Sequence, residues 1–203
     1  MSSVLFATLG PSGTCHEFAT KSYIEFQQIS NAKVELVTDF LQALEWLRNG
    51  KLDFIVQNSA HPEVYQLTEK YFREVFVIDT FLFPTQEMAV LTRRGVEHPH
   101  SLGLMPATRA YIDTSKWETI IYEPSKPIVA RCLLTGKYDS GLTHMRYAEE
   151  YKELLVVDEV IGSVDTTWLV YGRQRRSRDG VIGIRNPALF SKEQFSNEPV
   201  EAS

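Results

Sequence analysis

Near its start the sequence reads Val4-Leu5-Phe6-Ala7-Thr8-Leu9-Gly10-Pro11-Ser12-Gly13-Thr14, an apolar run that stops at a turn. An apolar run of this length is typical of a strand buried in a parallel sheet, and Gly10-Pro11 ends it. From Cys15 onward, apolar residues recur at the spacing of one helical face, which carries Phe18, Ala19, Ser22, Tyr23 and Phe26. Strand, turn and helix in this order predict the beginning of a parallel α/β sheet.

The alternation of strand and helix continues along the first third of the chain. Residues 34–37 and 54–56 read as strands, and Thr38 or Asp39 is suited to cap the helix between them. That helix is predicted to end at Gly50 and to bury Phe40, Ala43, Leu44 and Leu47. The pattern therefore predicts a parallel sheet with helices packed on it.

A second series of strands and helices begins after residue 100. Strands are predicted at 102–104, 119–122, 140–143 and 154–157. Helices are predicted from Pro106, from Ser125 or Lys126 to Gly136, and over 144–151. Each helix lies between two strands, so this series also predicts a sheet covered by helices.

The segments that join the two series complete the prediction. Residues 75–83 and 88–91 are strand-like and are separated by Pro84, while residues 166–171 read as a strand that returns to the first series. We therefore predict an α/β protein of two lobes with a ligand cleft between them. Lobe one comprises residues 1–82 and 160–190, lobe two comprises residues 83–159, and residues 191–203 form a frayed tail.

The composition argues against several classes of protein. At 203 residues and 43% hydrophobic, the chain has enough apolar surface for a sizeable core. No apolar run approaches the roughly 20 residues of a membrane helix, and Met1-Ser2-Ser3 does not begin a signal peptide, so we expect a cytoplasmic protein without membrane contact. Cys15 and Cys132 lie far apart in sequence, so we expect reduced thiols and no metal site.

The charges argue against nucleic acid as a partner. The net charge is −5, although a basic cluster occurs near the end of the chain at Arg173, Arg175, Arg176 and Arg178. No aromatic residues are interleaved with this cluster, as binding to a single strand would require. We interpret it as a solvated connection that leads through the turn Asp179-Gly180 to an added strand at 181–184.

The loop from Gly10 to Gly13 has two interpretations. It precedes a helix, so its backbone N–H groups and the helix dipole favour a bound anion. Thr14 and Glu17 also have the spacing of a capping box, in which the two side chains satisfy backbone donors of the first turn. Both interpretations stay open, because the side chains can cap the helix while the loop receives a ligand.

Several segments together resemble the catalytic domain of prephenate dehydratases. Leu9-Gly10-Pro11-Ser12-Gly13-Thr14 with Glu17 and Ala19 resembles the opening signature of the family, and Val56-Gln57-Asn58-Ser59 with Val64 resembles its Glu-Asn-Ser segment. Pro106, Ser125 and residues 142–151 match further family positions, so the resemblance covers about residues 4–172. It implies a fold like that of type II periplasmic binding proteins, a homodimer, prephenate as the small-molecule substrate and no cofactor.

Lys126-Pro127 departs from the dehydratase pattern, and at three further positions a charged or titratable residue of the family is replaced by a neutral one. Thr167 replaces the arginine of the family's Thr-Arg-Phe, Met105 replaces a histidine, and Gln57 replaces a glutamate. Dehydration expels the ring hydroxyl of prephenate together with carbon dioxide, which requires acid assistance or charge stabilisation at that hydroxyl. The sequence therefore lacks three groups that can supply this assistance.

The chain is similar instead to the non-aromatising prephenate decarboxylases, such as the enzyme that opens the bacilysin pathway. These proteins have a small hydroxyl residue before tryptophan, as in Thr167-Trp168, and no regulatory ACT domain. Only about 30 residues follow Gly172, so no ACT domain is expected here. The resemblance implies that carbon dioxide leaves while the hydroxyl stays, giving a dihydro-4-hydroxyphenylpyruvate for antibiotic biosynthesis of the bacilysin/anticapsin kind.

The resemblance and the helix starts supply a set of candidate site residues. We predict that Thr166, Thr167 and His61 are catalytic. His61 is a candidate proton donor, and water or a threonine hydroxyl is the alternative. The residues predicted to bind substrate are Ser12, Gly13, Thr14, Asn58, Ser59, Thr108, Arg109, Ser125, Lys126 and Trp168.

Some of these residues also have a purely structural interpretation. His61 would then be a surface residue of a loop, and Arg109 and Lys126 would be solvated charges at helix ends. Cys15 either has a lowered pKa in the first turn of its helix or packs in the core.

Three other functions stay open at this point. The first is an ordinary prephenate dehydratase that makes phenylpyruvate for phenylalanine biosynthesis. The second is a protein that binds a small carboxylate without catalysis, which the lost charged residues favour. The third is an enzyme for a related cyclohexadienyl acid.

Overall fold

The computed structural model describes residues 3–176 together with Gly180 and Gly183. The strands in this part of the chain are β1 Val4–Leu9, β2 Ala32–Val37, β3 Phe54–Asn58, β4 Phe76–Leu82, β5 Met88–Arg93, β6 Ser101–Leu104, β7 Thr119–Tyr122, β8 Ser140–His144, β9 Leu155–Gly162 and β10 Thr167–Gly172. The α-helices are α1 Cys15–Phe26, α2 Phe40–Arg48, α3 Val64–Lys70, α4 Lys126–Leu134 and α5 Arg146–Glu150. None of these helices is both long and apolar enough to cross a membrane.

The first sheet has the strand order β2-β1-β3-β10-β4. Strand β1 pairs in parallel with β2 and β3, while the returning strand β10 pairs antiparallel with β3 and β4. The helices α1 and α2 cover opposite faces of this sheet. One core joins α1 to Phe6, Val56 and Trp168, and the other joins α2 to Ile55 and Tyr171. This arrangement places the carboxyl ends of β1 and β3 beside the start of β10.

The second sheet has the strand order β7-β6-β8-β5-β9. Strand β6 pairs in parallel with β7 and β8, and β5 pairs antiparallel with β8 and β9. Helix α4 packs on this sheet through Val129 and Leu133, and the Cα of Gly141 lets α4 approach closely. Two sheets with helices on them confirm the predicted two-lobed α/β architecture.

The predicted burial is confirmed for one helix and partly wrong for another. In α2 the side chains Phe40, Ala43, Leu44 and Leu47 are all buried, and Asp39 caps the helix by accepting from the N–H of Leu41 at 2.7 Å. In α1, by contrast, two residues of the predicted apolar face are exposed, Phe18 at 44% and Phe26 at 80%. Cys15, Ala19 and Tyr23 of that face are buried as predicted, and the small Ala19 allows the helix to approach the sheet closely.

Two helices differ from the prediction, one in its type and the other in where it begins. The segment Pro106–Tyr111 is a 3-10 helix, and a second short 3-10 helix follows at Thr114–Lys116. The helix predicted over 144–151 begins only at Arg146, because His144 is still paired with Met88 in the sheet.

The described part of the basic cluster lies at the surface. Arg173, Arg175 and Arg176 are exposed, and Arg176 pairs with Asp79 at 3.3 Å. The remaining expectations for this end of the chain lie outside the described residues; they concern Arg178, the turn at Asp179, the strand at 181–184 and the tail from 191.

Candidate functional site

The loop before α1 is held by the carboxylate of Glu17. Thr14 caps the helix, since its Oγ1 accepts from the N–H of Glu17 at 3.2 Å and donates to the carbonyl of Leu9 at 2.8 Å. The Oε2 of Glu17 accepts from the backbone N–H of Gly13 at 2.6 Å and from the hydroxyl of Ser12 at 2.9 Å. The predicted cap by Thr14 is therefore confirmed, but the carboxylate reaches Gly13 instead of the N–H of Thr14.

The position of Glu17 changes the electrostatics of this loop. Burial raises the pKa of Glu17, but hydrogen bonds from Lys21, Gly13 and Ser12 outweigh burial and hold the pKa below its usual value. Glu17 is thus a carboxylate near neutral pH. It already occupies the Ser12 and Gly13 donors that the sequence assigns to a ligand, so a ligand role for these two residues stays a prediction.

Lys126 lies in the first turn of α4, opposite the first turn of α1. Its side chain is only 9% exposed, and its ammonium donates to the Sγ of Cys15 at 3.6 Å. Ser125 caps α4 by accepting from the N–H of Ile128, and Thr143 at the end of β8 donates to the carbonyl of Lys126 at 2.7 Å. The first turn of α4 is therefore held firmly between its own sheet and the other lobe.

The charge of Lys126 has no anionic partner within the part of the chain that the structure describes. The ion pairs there use other cations, and no carboxylate lies within 4 Å of the Lys126 ammonium. An unpaired buried ammonium costs several kcal/mol by order of magnitude. A small anion bound beside Lys126 would offset that cost, and the N-terminus of α4 favours the same charge.

Two histidines flank Lys126, one from each lobe. His16 lies in the first turn of α1, where burial, His61 and Lys126 lower its pKa to about 3. His144 is 1% exposed at the end of β8, where burial, Lys126 and Arg146 lower its pKa to about 3. Both imidazoles are consequently neutral near pH 7, and they add no positive charge to that of Lys126.

The lobe-one wall of the site is polar but uncharged. The Nδ2 of Asn58 donates to the Oγ1 of Thr166 at 3.0 Å, and the N–H of Asn58 donates to the Nε2 of His16 at 3.3 Å. Trp168 is buried and donates from its Nε1 to the carbonyl of Phe83 at 2.9 Å. Its ring meets the His16 ring edge-on, with the centroids 5.2 Å apart. The structure thus brings together Asn58, Thr166 and Trp168 of the predicted set.

His61 belongs to the same wall. Its ring lies edge-on to that of His16, with the centroids 5.8 Å apart, and its Nδ1 accepts from the N–H of Glu63 at 3.2 Å. Burial lowers the pKa of His61, although nearby Glu63 acts in the opposite direction. The neutral ring therefore carries its proton on Nε2.

The two lobes are joined at the backbone carbonyl of Gly13. Arg146 and Gln86 both donate to this oxygen, at 3.3 and 3.2 Å, and Arg146 also donates to the Oε1 of Gln86 at 3.2 Å. Gly13 has φ +88°, and a Cβ added there would lie 2.5 Å from a guanidinium nitrogen of Arg146. Only a glycine therefore allows Arg146 this close an approach.

The other predicted residues lie further from Lys126 or have other partners. Arg109 is exposed in its 3-10 helix, whereas Thr108 is buried and donates to the carbonyl of Met105 at 3.0 Å. Ser59 is exposed, and its N–H donates to the carbonyl of Thr167. Thr167 is half-buried and faces Leu82 across the sheet. Roles for these residues stay predictions.

Sequence reasoning did not single out His16, His144 or Arg146. His16 follows the capping residue Thr14 by two positions, so its place in the first turn was a usable signal. His144 and Arg146 belong to no recognisable motif. The tertiary structure alone shows that His144 lies near Lys126 and that Arg146 contacts Gly13 of the other lobe.

Comparison with known proteins places this geometry in a known fold. No protein-family model and no curated protein matches the sequence. Among solved structures, the chain is similar to a prephenate dehydratase from Arthrobacter aurescens solved with L-Phe, with a TM-score of 0.62 and 21% identity over 90% of this chain. The chain has a prephenate dehydratase-like fold. It spans 63% of the length of that dehydratase.

Other similar structures include an acylase and a periplasmic domain. The quorum-quenching acylase GqqA has a TM-score of 0.56 at 12% identity, and the alignment covers 92% of this chain and 74% of GqqA. The periplasmic VFT2 domain of Bordetella pertussis BvgS has a TM-score of 0.50 at 10% identity, covering 84% of this chain and 80% of that domain. At these identities the likeness concerns the fold alone, so the function has to be argued from the site.

Proposed function

We propose that the cleft binds a small dicarboxylate and that the protein is a lyase that decarboxylates prephenate without aromatising it. The observation that carries the proposal is the burial of Lys126 without an anionic partner in the described part of the chain. The similarity to a prephenate dehydratase supports prephenate as the substrate.

The site offers two different environments for two carboxylates. Beside Lys126, its ammonium and the N-terminus of α4 favour a carboxylate that stays ionised. Across the cleft, Asn58, Thr166 and Trp168 are neutral, and His16 is kept neutral by its lowered pKa. A carboxylate desolvated there without a cation is destabilised, so its loss as carbon dioxide becomes more favourable. We assign the pyruvyl carboxylate to Lys126 and the ring carboxylate to the neutral wall.

The proposed reaction conserves the ring hydroxyl. The bond between the ring and its carboxylate breaks, carbon dioxide leaves, and the electron pair moves through the diene to a ring carbon that takes a proton. The product is a dihydro-4-hydroxyphenylpyruvate, consistent with an antibiotic pathway of the bacilysin kind. Expelling the hydroxyl instead would require an acid or a cation at that oxygen. Thr167, Met105 and Gln57 replace charged or titratable dehydratase residues, which supports retention.

We propose that His61 or water supplies the proton. Only the Nε2 of the neutral His61 ring carries one, because Nδ1 accepts from the N–H of Glu63. If protonated His61 is the donor, activity falls as the pH rises through its lowered pKa, below 6.5. If kcat does not change between pH 5 and 8, water is the donor.

The test is to incubate the purified protein with prephenate and to follow the products by proton NMR. The proposal expects release of carbon dioxide and a retained signal from the carbon that bears the hydroxyl. Formation of phenylpyruvate would overturn it in favour of a dehydratase. Saturable binding of unchanged prephenate would favour the second candidate, a protein that binds a small carboxylate without catalysis.

We further propose a homodimer in the cytoplasm. Sedimentation velocity tests the assembly, because the 23.2 kDa chain and its dimer differ twofold in mass. Fractionation of cells that express the protein tests its location.

A further inference from the structure

His144 is a buried polar side chain whose two ring nitrogens have no partner in the described part of the chain. It is 1% exposed, and neither Nδ1 nor Nε2 forms a hydrogen bond with any of those residues. A buried group left without its hydrogen bonds costs about 1–3 kcal/mol, and native structures seldom keep one without a reason. A partner that enters from the cleft would supply that reason.

The surroundings of His144 restrict what that partner can be. Lys126 acts on it from α4 and Arg146 from α5, and the Tyr147 ring lies 6.3 Å away between centroids. On the neighbouring strand it faces Met88, which has no charge. The acidic residue next to Met88 is Glu87, which is exposed. His144 therefore lies among cations, so an anion is the partner that best satisfies its ring.

Lys126 and His144 belong to one rigid group at the carboxyl edge of the second sheet. Thr143, which precedes His144, donates to the carbonyl of Lys126 at 2.7 Å. This bond fixes the end of β8 against the first turn of α4. The charge of Lys126 acts on the His144 ring, so the opposite charge of an anion bound at Lys126 acts on that ring as well.

We infer that His144 is a further ligand-binding residue, which takes up a proton when the carboxylate binds at Lys126 and then donates a hydrogen bond to it. This inference rests on the anion site of the proposed function. It adds that the positive charge of the lobe-two wall increases by one when the ligand binds.

Linkage gives the sign of the pH effect. Without ligand, burial and the two cations lower the pKa of His144 to about 3, so the ring is neutral at pH 6. The ligand's negative charge offsets those cations and raises the pKa of His144, so binding takes up a proton below the new pKa. The affinity for the anion then increases by up to about tenfold for each unit by which the pH falls, and it becomes independent of pH once His144 stays neutral in the complex.

The probe for this inference is benzylsuccinate, a stable aromatic dicarboxylate that the proposed reaction does not consume. Calorimetric titration of the full chain at pH 6, in two buffers of different ionisation enthalpy, measures the protons taken up on binding. We expect a net uptake with the natural protein and none with His144→Gln, which keeps a hydrogen-bond donor at this position. The matched control is His100→Gln, whose histidine is exposed and pairs with Glu118 in the same lobe; it should keep the uptake.

The comparison between variants removes other sources of protons. Protonation of benzylsuccinate itself contributes equally to all three proteins, and thermal unfolding checks that His144→Gln is folded. Binding without proton uptake in the natural protein overturns the inference, and so does uptake that persists in His144→Gln. No detectable binding of benzylsuccinate also overturns it.

Failure of the proposed reaction is a separate outcome. Uptake by His144 with no turnover of prephenate leaves the inference standing and removes the decarboxylase. Turnover of prephenate, with no proton uptake when benzylsuccinate binds, supports the decarboxylase and removes the role of His144.

Discussion

The ammonium of Lys126 lies 3.6 Å from the sulfur of Cys15, although 111 residues separate the two in the chain. This contact brings the first turn of α4 against the first turn of α1, and thus two helix N-termini to one point. It also explains why Lys126 is buried, since the solvent side of its helix end is covered by the other lobe. Cys15 itself is a core residue of lobe one, as the packing interpretation expects.

Replacing Lys126 by methionine should separate binding from folding. Lys126→Met keeps the length of the side chain and removes the charge, so we expect the dissociation constant for prephenate to increase at least about tenfold. Stability should be unchanged or higher, because the variant no longer buries an unpaired cation. Titration with prephenate and thermal unfolding measure the two effects.

Lys116→Met is the matched control for Lys126→Met. Lys116 is exposed and pairs with Glu159 at 3.0 Å on the surface of lobe two. A surface pair of this kind contributes about 0–1 kcal/mol, so neither binding nor stability should change much. Equal effects of both variants on binding would show that Lys126 acts only through the net charge.

The contact between the lobes at Gly13 can be tested with two alanine variants. Gly13→Ala introduces a Cβ at φ +88° and within 2.5 Å of Arg146, while Gly95→Ala introduces one at φ +87° with no atom within 4 Å. Both variants incur about 1–2 kcal/mol of backbone strain. Only Gly13→Ala should also displace Arg146, so its free energy of unfolding should be lower than that of Gly95→Ala by about 1 kcal/mol. Equal urea unfolding curves would contradict a stabilising contact.

Glu17 should act as an internal anion that holds the first loop. Glu17→Ala leaves the donors of Ser12 and Gly13 unpaired, so we expect a loss of about 1–2 kcal/mol in unfolding free energy. Added sulfate should restore part of this stability, because the freed donors form an anion site at a helix N-terminus. Lys21→Ala is the control, since Lys21 is 62% exposed and should have an effect within about 0.5 kcal/mol. Sulfate that stabilises both variants equally would speak against an internal anion.

The buried histidines should make the protein sensitive to acid. His16 and His144 have pKa values lowered from 6.5 to about 3, so the unfolded chain binds more protons than the folded protein between these two values. Stability is therefore full above about pH 6.5 and decreases as the pH falls towards 3, by up to about 1.4 kcal/mol per pH unit for a fully buried histidine. Urea unfolding from pH 7 to 4 should show a shallower decline for His144→Gln than for the natural protein. Parallel declines would mean that His144 is already protonated in the folded state.

The fold could be predicted from the sequence where one element carried a clear periodic pattern. Helix α2 is an example, because Phe40, Ala43, Leu44 and Leu47 recur on a single face and all four are buried. Helix α1 shows the limit of this reasoning. Its spacing predicts burial for Phe18 as readily as for Ala19. The close approach of the helix to the sheet favours the smaller side chain at the interface. Phe18 packs near Phe83 instead, with the ring centroids 5.3 Å apart.

By itself, the sequence determined the alternation of strands and helices and the cap of α1 by Thr14. These features depend on local propensities and on the periodic burial of apolar groups. Only the tertiary structure decided that Asn58 meets Thr166, that Lys126 is buried and that His144 lacks a partner among the described residues, because each of these depends on a distant segment of the chain. Lysine is exposed by default, and residues far apart in sequence change that here by closing one lobe against the other.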